Sequence, residues 1–390
     1  MRIFVLGAGA TGSLLAQMLH RQGHEVSCGD RNPERARRFF SKKSQIPIAE
    51  VNARNLWGIV KAGRRCQLLI NASPAVYNEI ILRAALRLKA HYLDMAAHLT
   101  RNPFRAEQLR YAKRFEAKNR AAVINAGIAP GLTNLLVRRA EEMLDEVETV
   151  HIRLFEETES DDPVSQWSPE VSFDEATSRP RIYRGGRFEL ARRFSERERF
   201  RFAQPVGEVP VYLAAQDEVG TLPHFIPMRE MDVKIGGGEM EMLRRWYRQG
   251  KLSRSRGMAR ARFPATPTPR AMKRLVRHGR LSNARFAAAV LVRGVKDEQP
   301  TLVRWDVAVP SLYQIHREGL HGSPVAWATA TMTALFVKYF PREESGVFAP
   351  EQLPPEIRRE VLAGARNRGI RMTLRTRTLK KNEELEDEEL

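Results

Sequence analysis

Short apolar runs alternate with amphipathic segments through the first 127 residues. Residues 2–6 form one apolar run, and residues 13–22 repeat leucine and methionine at the spacing of one helix face. The same alternation continues, with further strand-like runs beginning near residues 25, 46, 67, 91 and 122. Strand followed by helix at this spacing predicts an α/β fold with a doubly wound parallel sheet and right-handed crossovers, a Rossmann domain over 1–127.

The pattern changes after residue 127. A helix is predicted for residues 132–144, and most of the later apolar runs are strand-like with few helices between them. They predict a second, α+β domain over 128–340 with a mostly antiparallel sheet. Residues 341–372 are predicted as a C-terminal helical segment. Residues 373–390 carry six acids in the last eight positions and are predicted as a charged, disordered tail.

The composition fits a packed protein of two domains. The chain has 390 residues, 43% of them hydrophobic, and no apolar run approaches the length of a membrane span. No signal-peptide pattern opens the chain, and Cys28 and Cys66 are expected to be reduced thiols. We therefore expect a cytoplasmic protein without membrane contact. No cluster of Cys and His has metal-ligand spacing, which predicts no metal site.

One stretch accounts for most of the net charge of +19. Residues 244–294 contain 15 Lys or Arg and no Asp or Glu. This imbalance suits an acidic partner, such as nucleic acid or an anionic surface. Few aromatic residues interleave with these charges, which favours a solvated, arginine-rich surface instead. The sequence leaves both interpretations open.

A glycine-rich segment follows the first predicted strand. Gly7, Gly9 and Gly12 are spaced as G-x-G-x-x-G, with Ala10 and Thr11 between the last two. After a strand and at the start of a helix, this spacing indicates a dinucleotide site. Gly7 makes the tight turn, Gly9 leaves room for a pyrophosphate, and Gly12 lets the helix pack on the strand. Free N–H groups at the helix N-terminus then bind the phosphates.

Asp30 ends the second predicted strand, 18 residues after Gly12. A carboxylate there can accept hydrogen bonds from both ribose hydroxyls of NAD, and it repels the 2′-phosphate of NADP. Asn32 is the better cap for the next helix, which leaves Asp30 available. Arg31 favours NADP instead, because an arginine at this place can bind a 2′-phosphate. NAD is the expected cofactor, and NADP is the alternative.

Ligands of open α/β sheets bind beyond the carboxyl ends of the strands. Ala72 and Ser73 follow the fourth predicted strand, and Asn125 follows the sixth. These three residues are therefore predicted to contact the cofactor near its nicotinamide. Asp94, after the fifth strand, is expected at the same edge.

Several further segments occur in a characteristic order. They are LLINASPAVYN at 68–78, HYLDMAAH at 91–98, NAGIAPGLTN at 125–134, Pro205-Val206-Gly207 with Asp217-Glu218 and Thr221-Leu222-Pro223, and GVFAPEQL at 346–353. In this order they resemble the saccharopine dehydrogenase family over about residues 1–370. The resemblance implies NAD(P)-linked hydride transfer at a C–N bond of an amino acid or polyamine-type amine. It also implies a homodimer formed through the sheet of the second domain.

One departure from the family concerns the substrate. Fungal-type saccharopine reductases carry an acid in an Asp-Pro-Gly segment where this chain has Ala129-Pro130-Gly131. The missing carboxylate argues against saccharopine itself. Other amine substrates stay open.

An amine must lose a proton before it gives up hydride, so a general base is expected. His98 is the first candidate, and a histidine at a helix start or on the surface is the alternative. Asp94 either orients the substrate ammonium or His98, or it bonds backbone N–H groups. Tyr77 either donates a proton or packs at the start of its helix. His224 is a weaker candidate in the second domain.

Other residues are candidates for binding the substrate. A substrate carboxylate would suit an arginine, which can bind it through two parallel hydrogen bonds. Arg181 and Arg184 are candidates, but the sequence does not single out one arginine among its 65 Lys and Arg. Trp167 either lines the pocket or packs in the core. Gly236-Gly237-Gly238 has the composition of a phosphate loop, but no helix is predicted after it, so a turn is expected.

Three classes of function remain. An oxidoreductase acting on a C–N bond is the leading hypothesis. A dinucleotide-sensing regulator without catalysis is the second, because Rossmann domains also serve as regulators. A protein that binds nucleic acid or an anionic surface through residues 244–294 is the third.

Overall fold

Two β-sheets organise the chain in a computed structural model that describes residues 1–166, 168–252, 264, 266–317, 319 and 322–380. The strands are β1 (Arg2–Leu6), β2 (Glu25–Asp30), β3 (Ile48–Glu50), β4 (Leu68–Asn71), β5 (His91–Asp94), β6 (Ala121–Val123), β7 (Glu146–Ser160), β8 (Arg181–Arg184), β9 (Arg187–Leu190), β10 (Glu198–Phe202), β11 (Gly207–Leu213), β12 (Glu230–Gly236), β13 (Leu281–Lys296), β14 (Gln299–Ala308), β15 (Gly346–Phe348) and β16 (Arg371–Thr378). The α-helices are α1 (Ala10–Arg21), α2 (Pro33–Arg37), α3 (Leu56–Ala62), α4 (Asn78–Leu88), α5 (Ala112–Glu116), α6 (Leu132–Glu141), α7 (Pro169–Thr177), α8 (Leu222–Phe225), α9 (Gly238–Arg248), α10 (Pro269–Arg277), α11 (Leu312–Arg317), α12 (Pro324–Lys338) and α13 (Pro355–Asn367).

The first sheet is the predicted Rossmann sheet. Its seven strands lie in the order β15-β6-β5-β4-β1-β2-β3, and every neighbouring pair is parallel. Strands such as β4 are buried along their whole length, because helices cover both faces of a parallel sheet. The strand order reverses between β1 and β4, so the carboxyl ends of these two strands border a ligand-binding crevice.

The seventh strand of this sheet comes from a segment that was predicted to be helical. Within residues 341–372, α13 is helical as expected, but β15 pairs with β6 at the edge of the first sheet. The chain therefore returns to the first sheet after β14 and then adds β16 to the second sheet. The three-residue strand Gly-Val-Phe is too short for a periodicity to be recognised in the sequence.

The second sheet is mixed and mostly antiparallel, as predicted. Its main path runs β10-β11-β12-β7-β13-β14-β16, and the β8–β9 hairpin joins it through β12. Only β7 and β12 pair in parallel. The sheet is curled, since Arg304 on β14 donates a hydrogen bond to the Arg201 carbonyl on β10 across one face, at 2.8 Å.

The boundary predicted for the disordered tail, residue 373, lies too early in the sequence, because a strand extends to residue 378. Residues 371–378 form β16, which pairs with β14 along its whole length. Its sequence, RMTLRTRT, carries arginine and threonine on an exposed edge strand, and such a strand lacks the apolar alternation that marks a half-buried one. Residues 381–390 lie outside the described residues.

Helix α12 joins the two sheets. Fourteen of its 15 residues are buried, and it packs against α1, α13 and β13. Ser323 caps its N-terminus by accepting a hydrogen bond from the Ala326 N–H. Despite its apolar character, it is too short to span a bilayer, and no other helix in the described ranges has the length and hydropathy to do so.

Candidate active site and cofactor site

The first glycine of the fingerprint makes the turn from β1 into α1. Gly7 has φ +97°, which L-residues with a side chain rarely adopt. A Cβ atom on Gly7 would lie 2.5 Å from the carbonyl oxygen of Ala72. Ala72 therefore packs on the turn from the adjacent strand end, and Gly7 is required for close packing at this corner.

The other two glycines, Gly9 and Gly12, differ in the space that surrounds them. A Cβ atom on Gly12 would overlap the carbonyl oxygen of Gly7, so Gly12 is required by the packing of α1. A Cβ atom on Gly9 would meet nothing within 4 Å. Gly9 is the N-cap of α1, and no side chain makes a cap hydrogen bond there. The corner thus has open space beside free N–H groups, followed by the half-buried Ala10 and Thr11, and this arrangement fits a pyrophosphate.

Asp30 lies at the end of β2 beside this corner. Its Oδ2 accepts a hydrogen bond from the Ala8 N–H at 2.9 Å, and its Oδ1 accepts one from the Asn32 N–H at 2.9 Å. Asn32 caps α2 as predicted, because its side chain accepts from the Arg35 N–H. The Asp30 carboxylate is held in place by the backbone and keeps lone pairs for ribose hydroxyls. Arg31 is exposed next to it.

The strand end after β4 is also built from short polar contacts. Ser73 bonds Asn71 through both its N–H and its hydroxyl, at 2.9 and 2.5 Å. Tyr77 lies in a 3-10 turn before α4, and its ring packs partly in the core under the guanidinium of Arg54. Its predicted role as a proton donor stays a prediction, while the packing alternative agrees with these contacts.

Asp94 lies beneath the crevice and not on its surface. The carboxyl is 1% exposed and accepts hydrogen bonds from the Tyr92 hydroxyl, the Gln108 amide and the Asn125 N–H. Burial raises the pKa of Asp94 to about 7, although these hydrogen bonds lower it. Asp94 therefore bonds a backbone N–H, as one of the two alternatives expected, and does not reach a substrate directly.

Asn125 was predicted to contact the cofactor, but its side chain is fully buried. The residue adopts φ +57°, and its amide has no hydrogen-bond partner among the described residues. The left-handed backbone makes a turn here, the Asn125 side chain lies inside the fold, and its predicted contact with the cofactor stays a prediction. Sequence reasoning could place it at a strand end but could not see this turn.

His98 belongs to a loop that connects β5 to the next helical turn. Its Nε2 lies 2.7 Å from the Thr100 hydroxyl, and its Nδ1 lies 3.4 Å from a carboxylate oxygen of Glu107. Its backbone N–H donates to the Gln108 side chain, which also holds Asp94. The imidazole is 16% exposed and lies between the Thr100 hydroxyl and the Glu107 carboxylate.

The loop of residues 95–106 reaches the second domain. Asp217 accepts a hydrogen bond from the Ala97 N–H at 3.0 Å, and the Ala106 N–H donates to the Gly220 carbonyl. His224 Nε2 lies 2.8 Å from the Phe104 carbonyl oxygen. We call the place where this loop meets Asp217, with Arg181 beside it, the interdomain crevice.

Two acids of the second domain at this crevice were not among the predicted candidates. Burial raises the pKa of Asp217 to about 6, although the charge of Arg181 lowers it. Burial also raises the pKa of Glu175 to about 8, and the Gln216 amide donates to its Oε1. Glu175 lies in no motif, and no chemical role was predicted for Asp217 within the Asp217-Glu218 segment, because α7 and the segment after β11 meet only in the folded chain.

The structure separates the two arginine candidates. Arg184 forms an exposed ion pair with Glu196 at 3.0 Å. Arg181 is half-buried and has no hydrogen bond or ion pair within 4 Å among the described residues, and Asp217 is the charge that acts on it. Burial lowers the pKa of Arg181, against the charge of Asp217. Arg181 is thus the candidate with an unused guanidinium.

The remaining candidates have structural partners. His224 stacks on Phe188 with 4.9 Å between ring centroids, in addition to its contact with the loop. Trp167 lies outside the described residues. Within the described ranges no group of three or more His, Cys, Asp or Glu has the arrangement of a metal site.

The prediction of a simple turn at Gly236-Gly237-Gly238 was wrong. The strand β12 ends at Gly236, and α9 begins at Gly238, so the segment is a second strand–glycine–helix corner. Its helix N-terminus is already in use, since the Gly238 N–H donates to a carboxylate oxygen of Glu157 at 2.9 Å. A carboxylate of the protein lies where a phosphate would bind.

The fold and the Gly7–Gly12 corner define a protein with a Rossmann-type dinucleotide-binding domain. Residues 3–123 match the family model described as the saccharopine dehydrogenase NADP binding domain. Over these residues, which are less than half of the chain, the first domain is similar to that cofactor-binding domain, and this similarity supports NAD(P) as its cofactor.

Comparisons over longer stretches agree with the family resemblance. The chain is 23% identical over 263 residues to the carboxynorspermidine synthase of Vibrio alginolyticus, covering 61% of this chain. It is 21% identical over 264 residues to that of Vibrio cholerae serotype O1, again covering 61% of this chain. The match spans 63% of the length of each of these relatives. The fold of this chain is similar to that of the apo saccharopine dehydrogenase (L-Glu forming) of Saccharomyces cerevisiae, with a TM-score of 0.70. The two sequences are 13% identical, and the match covers 97% of this chain and 100% of the other.

Proposed function

We propose that this protein is an NAD(P)-dependent dehydrogenase or reductase that acts on the C–N bond of an amino acid or polyamine-type amine. The observation that carries the proposal is the open space beside Gly9 at the turn from β1 into α1, where a dinucleotide would bind. The same chain also forms the interdomain crevice, where a substrate would bind. Ionisable groups from both domains meet at this crevice, as hydride transfer with a coupled proton transfer requires.

The nicotinamide ring, when bound, supplies the site that accepts or donates hydride. The residues of the chain bind the amine and handle its proton. His98 is the proposed proton acceptor, with its ring oriented by Thr100 and Glu107. Asp94 is proposed to act through Gln108, whose side chain bonds both the Asp94 carboxyl and the His98 N–H.

The proposed substrate carries a carboxylate as well as an amine. The unused guanidinium of Arg181 suits a carboxylate, and the Asp217 carboxylate suits an ammonium group. The names of the Vibrio relatives, carboxynorspermidine synthases, also point to a carboxylated polyamine. In the interdomain crevice, the carboxylate of such a compound would pair with Arg181 and its ammonium group would pair with Asp217.

NAD is the proposed cofactor, with NADP as the alternative. The backbone holds Asp30 where it would accept the ribose hydroxyls and repel a 2′-phosphate. The exposed Arg31 and the family description, which names NADP, support the alternative. Parallel titrations with NADH and NADPH distinguish the two.

We further propose a cytoplasmic homodimer. The thiols of Cys28 and Cys66 are both free, which suits a reducing compartment. The edge strand β16 offers unpaired backbone groups of the second sheet to another copy. Sedimentation of the protein with and without Leu374→Lys tests this interface, because Leu374 is 39% exposed on β16.

The function is tested by NADH and NADPH formation with a panel of amines: lysine, saccharopine, ornithine and carboxylated polyamines. We expect turnover with one of them. His98→Ala should abolish this turnover, and Arg181→Gln should raise KM for the amine at least tenfold. Both variants should still bind the cofactor. Arg184→Gln is the matched control, since Arg184 already pairs with Glu196. Cofactor binding without turnover on the whole panel would favour the dinucleotide-sensing regulator.

A further inference from the structure

Seven exposed cations lie on two helices of the second domain. Arg245, Arg248 and Lys251 are exposed along and just after α9, and α10 exposes Arg270, Lys273, Arg274 and Arg277. None of the seven forms an ion pair within the part of the chain that the structure describes, whereas Arg244 and Arg280 pair with Glu241 and Asp162. These seven charges therefore face solvent without compensation. We call them, with the two helices, the basic surface.

The cations of α10 form one stripe. Residues 270, 273, 274 and 277 share a helix face, because they are three or four positions apart. The stripe is about 10 Å long at 1.5 Å per residue, which is long enough for its cations to contact neighbouring phosphates of one strand. The opposite face of α10 packs Met272 against Leu281 and Ala284, so this helix has no apolar side left to insert elsewhere.

Both helices lie at the same end of neighbouring strands. The start of α9 bonds Glu157 on β7, while Arg280, just after α10, donates to Asp162 beyond the end of β7. Strands β7 and β13 pair at this end, where Leu281 faces Ser160. These contacts place the start of α9 and the end of α10 at the same end of the second sheet.

Two exposed aromatic rings lie in this region. Tyr247 on α9 is 41% exposed, although its ring also contacts Phe194 and the guanidinium of Arg193, and Tyr313 on α11 is 53% exposed. Helix α11 is part of the region because Leu312 packs in the same cluster as Met272 of α10. Among the described residues the third exposed aromatic ring, Trp57, lies in the first domain. The rings are spread through the sequence, and only the fold brings them beside the cations.

We propose that the basic surface binds single-stranded nucleic acid, with its cations on the phosphates and Tyr247 and Tyr313 stacked on bases. Uncompensated cations beside exposed aromatic rings are the features of such surfaces. An anionic membrane is disfavoured, because the apolar residues of α10 are used in its own core. This activity is independent of the proposed oxidoreductase activity.

The test measures binding of a fluorescein-labelled oligouridylate of 20 nucleotides to the full-length protein at several salt concentrations. The first variant combines Arg270→Gln, Lys273→Gln, Arg274→Gln and Arg277→Gln. The matched control combines Arg342→Gln, Arg359→Gln, Arg366→Gln and Arg368→Gln, which removes the same charge from exposed positions on α13 and in the segments before and after it. A duplex DNA of 20 base pairs and vesicles of phosphatidylserine are the competing probes.

We expect the α10 variant to bind at least tenfold more weakly, with a log–log salt slope that is shallower by as much as about 2.8. The control variant should bind like the parent protein. Tyr247→Leu and Tyr313→Leu should each weaken binding by about fivefold or more without a change in the salt slope. Absence of binding to the oligouridylate, equal losses in the two charge variants, or preference for vesicles or duplex over the single strand would each overturn the proposal.

Discussion

Two strand–glycine–helix corners in this protein look alike in outline and differ in what lies at the helix end. At the first corner, the side of Gly9 is open and the N-terminus of α1 has no side-chain cap. At the second, Glu157 already bonds the N-terminus of α9. A glycine-rich corner is therefore a phosphate site only if the protein leaves the helix N-terminus free. The comparison favours the first corner as the cofactor site.

The largest effect is expected from Gly237→Ala at the second corner. Gly237 has φ +109°, and a Cβ atom there would overlap the Glu156 carbonyl oxygen on β7. The free energy of unfolding should fall by about 3 kcal/mol or more, measured by urea denaturation. Gly250→Ala is the control, because Gly250 shares a positive φ but has nothing within 4 Å. It should cost about 1 kcal/mol, and equal losses would contradict the packing argument.

Asp94→Asn tests the buried carboxyl at the end of β5, in the same sheet as the first corner. The pKa of Asp94 is raised to about 7 in the folded protein, so its contribution to stability is complete below its unfolded pKa of 3.8 and is lost as the pH rises through 7. Asn does not titrate, and the variant should gain on the parent by a few kcal/mol between pH 4 and 7. Urea denaturation at several pH values measures this. A difference between the two proteins that does not change with pH would contradict the buried position of Asp94.

Asp30→Ala addresses the specificity of the first corner. The variant loses the acceptor for the ribose hydroxyls and the repulsion of a 2′-phosphate. NADH affinity should fall about tenfold, or about 1.4 kcal/mol, while NADPH affinity falls less or rises. Fluorescence titration measures both. Asn32→Ala, which removes only the cap of α2, should lower stability without changing the NADH to NADPH ratio.

Glu157→Gln is expected to give the smallest effect. It replaces a charged acceptor at the positive end of α9 with a neutral one, which should cost about 1 kcal/mol in urea denaturation. Glu159→Gln is the control on the same strand, where Glu159 forms a half-exposed pair with Arg285. That pair should contribute less than about 0.5 kcal/mol. A control variant as unstable as Glu157→Gln would mean that the helix end does not depend on Glu157.

The two corners also show what the sequence can predict. The first is local: Gly7, Gly9 and Gly12 lie between a recognisable strand and a recognisable helix, and Asp30 follows at a fixed distance. The second corner was misjudged because α9 begins directly after the glycines and is mostly polar. Its capping residue, Glu157, comes from a strand about 80 positions earlier. No local pattern indicates that partner.

The crevice shows the same limit. His98 and Asp94 could be named because strand ends of a Rossmann sheet converge on one edge. No chemical role could be predicted for Asp217 and Glu175, because their raised pKa values come from burial and from contacts made only in the folded chain, such as the one between Asp217 and the Ala97 N–H. Asn125 was placed at the correct strand end, but only its backbone conformation decides that the side chain is buried.

The most direct test of the account is NADH binding by Gly9→Ala. Gly9 has φ −77° and ψ −157°, an extended conformation that alanine also adopts, and its Cβ would meet no protein atom within 4 Å. The account predicts a melting temperature like that of the parent protein and NADH affinity lower by at least about tenfold, because the methyl group fills the space meant for the pyrophosphate. Unchanged NADH affinity in a stable Gly9→Ala protein would contradict the assignment of the cofactor to this corner.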